Sequence, residues 1–543
     1  MKMLSKKVAE LEELRKEARK LVEAAGLDPW PVIFGVVDHD QLNEYSAYDG
    51  FPERFPHWSF GMSYDYFRKR SAYAGWWTYE IVINTNPAIA YLRESNTPIE
   101  NKGVMIHVYA HVDFFKNNYW FSKTSKDMIK VMRIHAERVE EYMERYGIEK
   151  VESFIDKALS LQYEIDQYAP FMKRAPKALE EDEHDREPPR IPVKRDYMDR
   201  FLNPPKWLEE RRAKLREALE RARQPRDETE LLKPDKDVLG FIMKHGRLET
   251  WQRDILAMIR EESYYFVPQI QTKIMNEGWS MYWQSRLMRE FAQPNEFIDH
   301  ADMMSKVLAG GALNPYALGK LIWEDIKERW DKGRFGREWE LCKDPEKKRR
   351  WDTKANLGTE KIFEVRRTYN DVMFLSEFFT PELFEKLKLF AYEYIPETGA
   401  YHITSRDFED VKKKLLLYHT NLGRPTIKVA TGNYGNKGEL LLLHFYNGVG
   451  LHLEDAKAVL KNIYAMWGRP VNLKTIIKRK VRDPDPMRNR IHPEHPVTSV
   501  YEEQGVLLRY DGESFREIAL SPNEVKDIRL DEEYSTIPKE WIG

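Results

Sequence analysis

Along most of this chain, apolar residues recur at the three-to-four spacing of a helix face. Alternation at a spacing of two gathers in its last quarter. Leu4, Val8, Leu11, Leu14, Ala18 and Leu21 give an opening amphipathic helix, stopped near Gly26 with Asp28-Pro29 beyond it. Ile129, Met132, Val139 and Met143 share one face of a helix predicted over 125–146, which Gly147 ends; another is predicted over 151–161. Helices are predicted over 251–266 and 270–288, divided at Pro268, and from Asn314-Pro315-Tyr316 through Trp330. The stretch 79–84 reads as a strand or a helix start, and Asn84-Thr85-Asn86-Pro87 as a turn or helix entry before Ala88 to Arg93. From about Asp407 the pattern changes. Strands at 426–431 and 440–446, a helix at 453–467, and a hairpin of 506–510 with 515–520 around Asp511-Gly512 describe an α+β unit. The expected fold is mainly α with a smaller C-terminal α+β domain.

Between these regions, about 173–237 carries the charge run Glu180 to Asp185, then Pro188-Pro189 and Pro204-Pro205. Trp207 to Arg223 follows, with alternating charge suited to an exposed helix. The expected organisation is 1–172 and 238–400 as two parts of one helical core, 173–237 as a charged, proline-rich linker or insertion, and 401–543 as the α+β domain. His184 in the acidic run reads as part of a solvated linker rather than a ligand.

Chemistry concentrates in Val104-Met105-Ile106-His107-Val108-Tyr109-Ala110-His111-Val112. On a helix, positions i and i+4 sit one turn apart on one face, so His107 and His111 can share a metal ion. The segment also alternates as a strand would, and there the two histidines would lie roughly 13 Å apart, too far for one ion. Helix is the preferred reading, because the apolar run continues through Phe114 and Phe115 to a stop at Asn117-Asn118. Glu277 lies in a predicted helix with apolar side chains on nearly every face, including Met275, Trp279, Tyr282 and Trp283. Such a helix is normally buried. Two histidines and a glutamate from a second helix make the ligand set of a catalytic-type zinc site, for zinc or another divalent metal. In H-E-x-x-H the residue after the first histidine activates water, and here it is Val108. Substitute carboxylates to consider are Asp113, Glu261 and Glu262. If the site is otherwise an intact zincin, Val108→Glu should raise peptide hydrolysis.

Composition narrows the classes. The 543 residues include 87 basic and 89 acidic side chains, so charge gives no reason to expect nucleic acid or an anionic membrane as partner. No stretch approaches the roughly 20 apolar residues of a membrane span, and the N-terminus resembles no secretory signal, so a cytosolic protein is expected. Cys342 is the sole cysteine, which excludes an intramolecular disulfide and a cysteine-rich zinc cluster. The glycine-rich 432–438 lacks the G-K-[ST] of a phosphate loop and reads as a hairpin turn.

Tyr79 to Pro87, His107 to Asn118 with its Asp113-Phe114-Phe115-Lys116-Asn117-Asn118 end, Gln271 to Tyr282 around Asn276-Glu277-Gly278-Trp279, and Asn314 to Gly319 occur in one order. Together with the C-terminal unit they resemble the SpoVR family, named after stage V sporulation protein R. The resemblance implies a cytosolic bacterial protein linked in spore formers to making the spore cortex. It also implies association with a serine-kinase-like AAA protein and a von Willebrand A-type protein in a stress or developmental pathway. Ser280 and Gln284 depart from the family, which often carries Ala and His there. A more distant similarity to gluzincin-type metallopeptidases, with a zincin-like helical core, maps His107, His111 and Glu277 onto ligands.

Three functions remain open: a non-catalytic regulator keeping a metal site, a metal-dependent hydrolase of a peptide or cell-wall precursor, and a structural adaptor whose histidines serve packing. Bland readings apply elsewhere. His57-Trp58 belongs to an aromatic core, Asn117-Asn118 ends a helix, and Lys116 is a surface lysine. His300 is a remote fourth-ligand candidate. Arg260-Glu261-Glu262 forms either a buried ion network or a helix face.

Overall fold

A computed structural model describes residues 2–74, 80–172, 234–308, 313–395, 400–482 and 500–530. The linker reading of 173–237, with His184 and the 207–223 helix, falls almost wholly outside the described residues. The protein is mainly helical, with an α+β part at its C-terminal end.

Two large hydrophobic cores organise it. The first surrounds the helix Pro98–Asn117, in which Ile99 and every residue from Asn101 to Phe115 are buried. Thr97 starts this histidine helix with a reciprocal capping box to Glu100, Pro98 sits where its missing N–H costs nothing, and Asn118 caps the far end. Against it lies Lys273–Phe291, the glutamate helix, and against that lies Pro315–Asp331. The last two meet backbone to backbone. A Cβ placed on Gly319 would stand 2.1 Å from the Ile274 carbonyl oxygen and 2.8 Å from Gly278 Cα.

A three-stranded sheet flanks the histidine helix. Strand β1 (Val32–Val37) runs parallel to β3 (Ala88–Arg93), and β2 (Glu80–Ile83) pairs antiparallel to the other side of β3. Val32, Ala88, Ala90 and Leu92 pack into the core that holds the histidine helix. The strand β3 corrects the reading of 84–93 as a possible helix entry. Its buried residues alternate, and small Ala88 and Ala90 let sheet and helix approach closely.

Pro268 also departs from expectation, since the helix Thr250–Gln271 runs through it and the break comes at Thr272. Val267 and Pro268 are both buried, so packing holds the turn in which proline removes one backbone hydrogen bond.

The second core joins the helices Met128–Tyr146, Ile148–Leu159, Val238–His245 and Thr250–Gln271 to the C-terminal sheet. After a short hairpin, β4 (Ala391–Ile395) with β5 (Ala400–Ser405), come β6 (Thr426–Tyr434), β7 (Glu439–Phe445), β8 (Val471–Arg482), β9 (Val500–Tyr510) and β10 (Phe515–Ala519). They form one sheet in the order β10-β9-β8-β7-β6, with only β7 and β8 parallel. The crossover between those two is the helix Leu453–Trp467, closed by Gly468 in the left-handed conformation. Both predicted hairpins are present. Asp235 bridges to Val429 of β6, tying the chain just before the helix Val238–His245 to the sheet.

Candidate metal centre

The histidine helix turns His107 and His111 toward the glutamate helix, their rings 4.6 Å apart. Each ring is held from behind. His107 Nδ1 lies 2.8 Å from Gln284 Oε1, and His111 Nδ1 lies 2.9 Å from Asn276 Oδ1. An amide oxygen accepts, so each imidazole donates from Nδ1 and, when neutral, keeps its lone pair on Nε2. Both Nε2 atoms face Glu277 Oε2, at 3.7 Å from His107 and 3.4 Å from His111.

Glu277 is split between two tasks. Its Oε1 accepts from Lys273 Nζ at 2.6 Å, one turn back on the same helix, while Oε2 is buried and accepts no hydrogen bond. Burial pushes the Glu277 carboxyl upward, but Lys273 and the two histidines outweigh it and hold it well below the usual carboxylate range. Its helix starts on a buried cap from another helix. Asp371 accepts from Ile274 N at 2.8 Å and Met275 N at 2.9 Å, with its own carboxyl pushed up to about 7 by burial.

A tetrahedral zinc with bonds of about 2.0–2.2 Å has ligand atoms roughly 3.3–3.5 Å apart. The Glu277 separations of 3.4 and 3.7 Å are close to that, and one donor atom from each of the three residues lies within 4.8 Å of the others. Among the described residues no other group of histidine, cysteine and carboxylate ligands is this tight. The residues present therefore fit zinc or another divalent ion, with second-sphere partners that fix both ring orientations.

Two further side chains reach the centre that sequence reasoning did not single out. Glu80 opens β2, on the same face of the strand as Val82, which packs on the core around the histidine helix. Its Oε1 lies 3.9 Å from His107 Nε2. Burial pushes the Glu80 carboxyl up, His107 draws it down, and the charge on Glu277 pushes it up again. Tyr316 begins the helix Pro315–Asp331, its backbone N–H capped by Asn314, and its ring lies 6.2 Å from that of His107. The charge on Glu277, then burial and Glu80, push its phenol well above the ordinary range. A carboxylate opening an otherwise apolar strand was the available signal for Glu80. Tyr316 carried that of a residue after an N-cap, and both residues lie in segments that carry the family resemblance.

The other sequence candidates lie elsewhere. Asp113 accepts from Asp28 N, from Trp279 Nε1 at 3.0 Å, and from Arg366. Glu262 joins Arg54 at 2.7 Å and His135 at 2.8 Å in a buried ion network, with Glu261 at its rim 3.4 Å from His135. Arg260 pairs instead with Asp237. His300 is not among the converging ligands. His57 is buried beside Phe55 and Phe60, whereas Trp58, expected in the same aromatic core, is exposed. Asn118 supports the backbone near Arg366 and Tyr369, and Lys116 pairs with Asp28. Of the two departures from the family, Gln284 orients His107, and Ser280 donates within its own helix to Asn276 O.

The SpoVR like protein family matches residues 5–424, and the SpoVR-like C-terminal domain matches residues 425–478. The chain belongs to the SpoVR family. The two matches meet beside the start of β6, and the first carries every residue of the candidate centre. A relative in Escherichia coli (strain K12), the uncharacterized protein YcgB, is 29% identical over 491 residues, covering 84% of this chain and 90% of its own length. No solved structure matches the SpoVR chain. Among its described residues, no helix is long and apolar enough to cross a membrane.

Proposed function

We propose that this SpoVR chain is a metal-dependent protein that holds zinc or another divalent cation on His107, His111 and Glu277. The observation that carries the reading is the bare Oε2 of Glu277, buried and facing two imidazole nitrogens. Three electron-rich atoms converging away from water require a cation or a proton between them. As a SpoVR protein it would act in the cytoplasm, in spore-cortex formation or a stress response, alongside a serine-kinase-like AAA protein and a von Willebrand A-type protein. Val108 in the position of the usual base favours a regulatory use of the metal. The carboxylate of Glu80 beside His107 favours a second reading, a metal-dependent hydrolase of a peptide or cell-wall precursor. Elemental analysis of the purified protein tests the metal. One equivalent of zinc or a similar ion per chain, lost in His107→Ala, is expected. A metal-free protein that takes up none on dialysis, or equal uptake by His107→Ala, would sink the reading.

A further inference from the structure

We propose that Glu80 is the general base of this centre, delivered from strand β2 in place of the glutamate that Val108 displaces, and that the site hydrolyses a peptide amide. The proposal rests on the metal reading above. Val108 is fully buried in the apolar core, so no carboxylate comes from the histidine helix at that position. Asp113 and Glu262 have a donor on each oxygen and are spoken for.

Glu80 is placed differently. It stands 3.9 Å from one ligand nitrogen, yet it is not part of the set whose donor atoms all lie within 4.8 Å of one another. It is therefore beside the ligand sphere rather than in it. A base belongs beside the ligands rather than among them, where its carboxylate could take the proton of a water that a bound ion would activate. The Glu80 side chain is 20% exposed, against 9% for Glu277. Tyr316 stands on the same side, its ring 6.2 Å from that of His107, where its phenolic O–H could serve the oxygen that gains charge as the carbonyl is attacked.

The step balances with water alone. The water oxygen bonds to the amide carbon as Glu80 takes its proton. Glu80 returns that proton to the amide nitrogen as the C–N bond breaks, leaving an acid and an amine. No oxidant or reductant is needed.

Acetohydroxamate is a suitable probe, because it takes the open position of a metal and offers a proton to an adjacent base. Calorimetry on the zinc-loaded full chain should show binding that Glu80→Gln weakens about tenfold or more, the worth of one charge-assisted hydrogen bond. Zinc stoichiometry should be unchanged in Glu80→Gln, and Tyr316→Phe should weaken the probe less. Zinc-dependent cleavage of a randomised peptide mixture, read by mass spectrometry, should fall about 10²–10⁴-fold in Glu80→Gln.

Loss of zinc in Glu80→Gln would make Glu80 a ligand and overturn the proposal. Hydroxamate binding indifferent to Glu80 would overturn it too, as would a zinc-loaded wild type that ignores the probe or leaves every peptide intact. A wild type that takes no zinc fails the metal reading instead, and this proposal with it. Should Glu80→Gln not fold, Glu80→Asp shortens the same carboxylate by one methylene and should weaken the probe while keeping zinc.

Discussion

Placing a methyl group on Gly319 tests the contact that brings Tyr316 to the candidate metal centre. A Cβ there would meet the Ile274 carbonyl oxygen at 2.1 Å and Gly278 Cα at 2.8 Å, whereas ordinary contact begins near 3.4 Å. Both clashes are with backbone, so no side chain can swing aside, and the two helices must part by about 1 Å. Trp279 and Trp323, whose rings pack at 5.0 Å across the same interface, lose contact as they do. Overpacking of this kind costs about 1–3 kcal/mol, and the rigid backbone on both sides puts Gly319→Ala at the upper end. Gly61→Ala is the control. Gly61 is exposed within the helix Trp58–Ala74 with nothing within 4 Å of its added Cβ, so alanine should gain about 0.5–1 kcal/mol. Urea unfolding followed by tryptophan fluorescence reads both. A Gly319→Ala midpoint within error of wild type would refute the backbone-on-backbone packing and the position it gives Tyr316.

Zinc at a hundredfold excess over its dissociation constant should stabilise the chain by about 2.7 kcal/mol, and His111→Ala should remove that gain in a thermal shift assay. Lys273→Met should cost the metal-free protein about 1–3 kcal/mol by leaving Glu277 buried without its cation, and should enlarge the zinc-induced gain; an unchanged gain would argue against metal at Glu277. Val108→Glu should not restore a zincin base but destabilise by about 3–5 kcal/mol, since it buries a charge in an apolar core; a stable variant with raised peptidase activity would contradict this. His444 is fully buried against Thr475 Oγ1, and burial holds its imidazole down to about 4 against an ordinary 6.5. The unfolded chain then takes the proton first. Stability is complete above about pH 6.5 and falls as pH drops toward 4, by up to about 3 kcal/mol from this group, and denaturation midpoints in His444→Gln should show a shallower acid slope.

The histidine helix was legible because its apolar run is too long for a strand and ends at two asparagines. Glu277 was legible because its helix leaves no polar face, which is itself a statement of burial. Pairing them needed only the four-residue spacing and a second buried helix. Glu80 was not legible. It opens a strand of four residues whose neighbour β3 reads locally as a turn or helix entry, and nothing local says which face of β2 meets His107. Tyr316 depends on the Gly278–Gly319 approach, a contact between helices that no periodicity encodes. Pro268 misled for a related reason, since local propensity marks a break that burial of Val267 and Pro268 overrides.

Among the described residues, the buried carboxylates differ in how their two oxygens are satisfied. Asp113 has backbone, indole and guanidinium donors on its two oxygens; Glu262 has Arg54 and His135; Asp371 has two backbone N–H groups; Glu439 has Asn472 and Arg509. In each, both oxygens are satisfied from within the fold, as a structural carboxylate must be when it is removed from water. Glu277 breaks the rule at one oxygen only, and that oxygen points at the two imidazole nitrogens whose opposite ring atoms are already fixed by Gln284 and Asn276. A packing role would leave any of these three atoms free to find a donor. Instead Lys273 takes the outer oxygen of Glu277 and the two amides take the outer nitrogens, so each side chain turns an unpaired donor atom inward. That shared orientation is what a cation would require of all three.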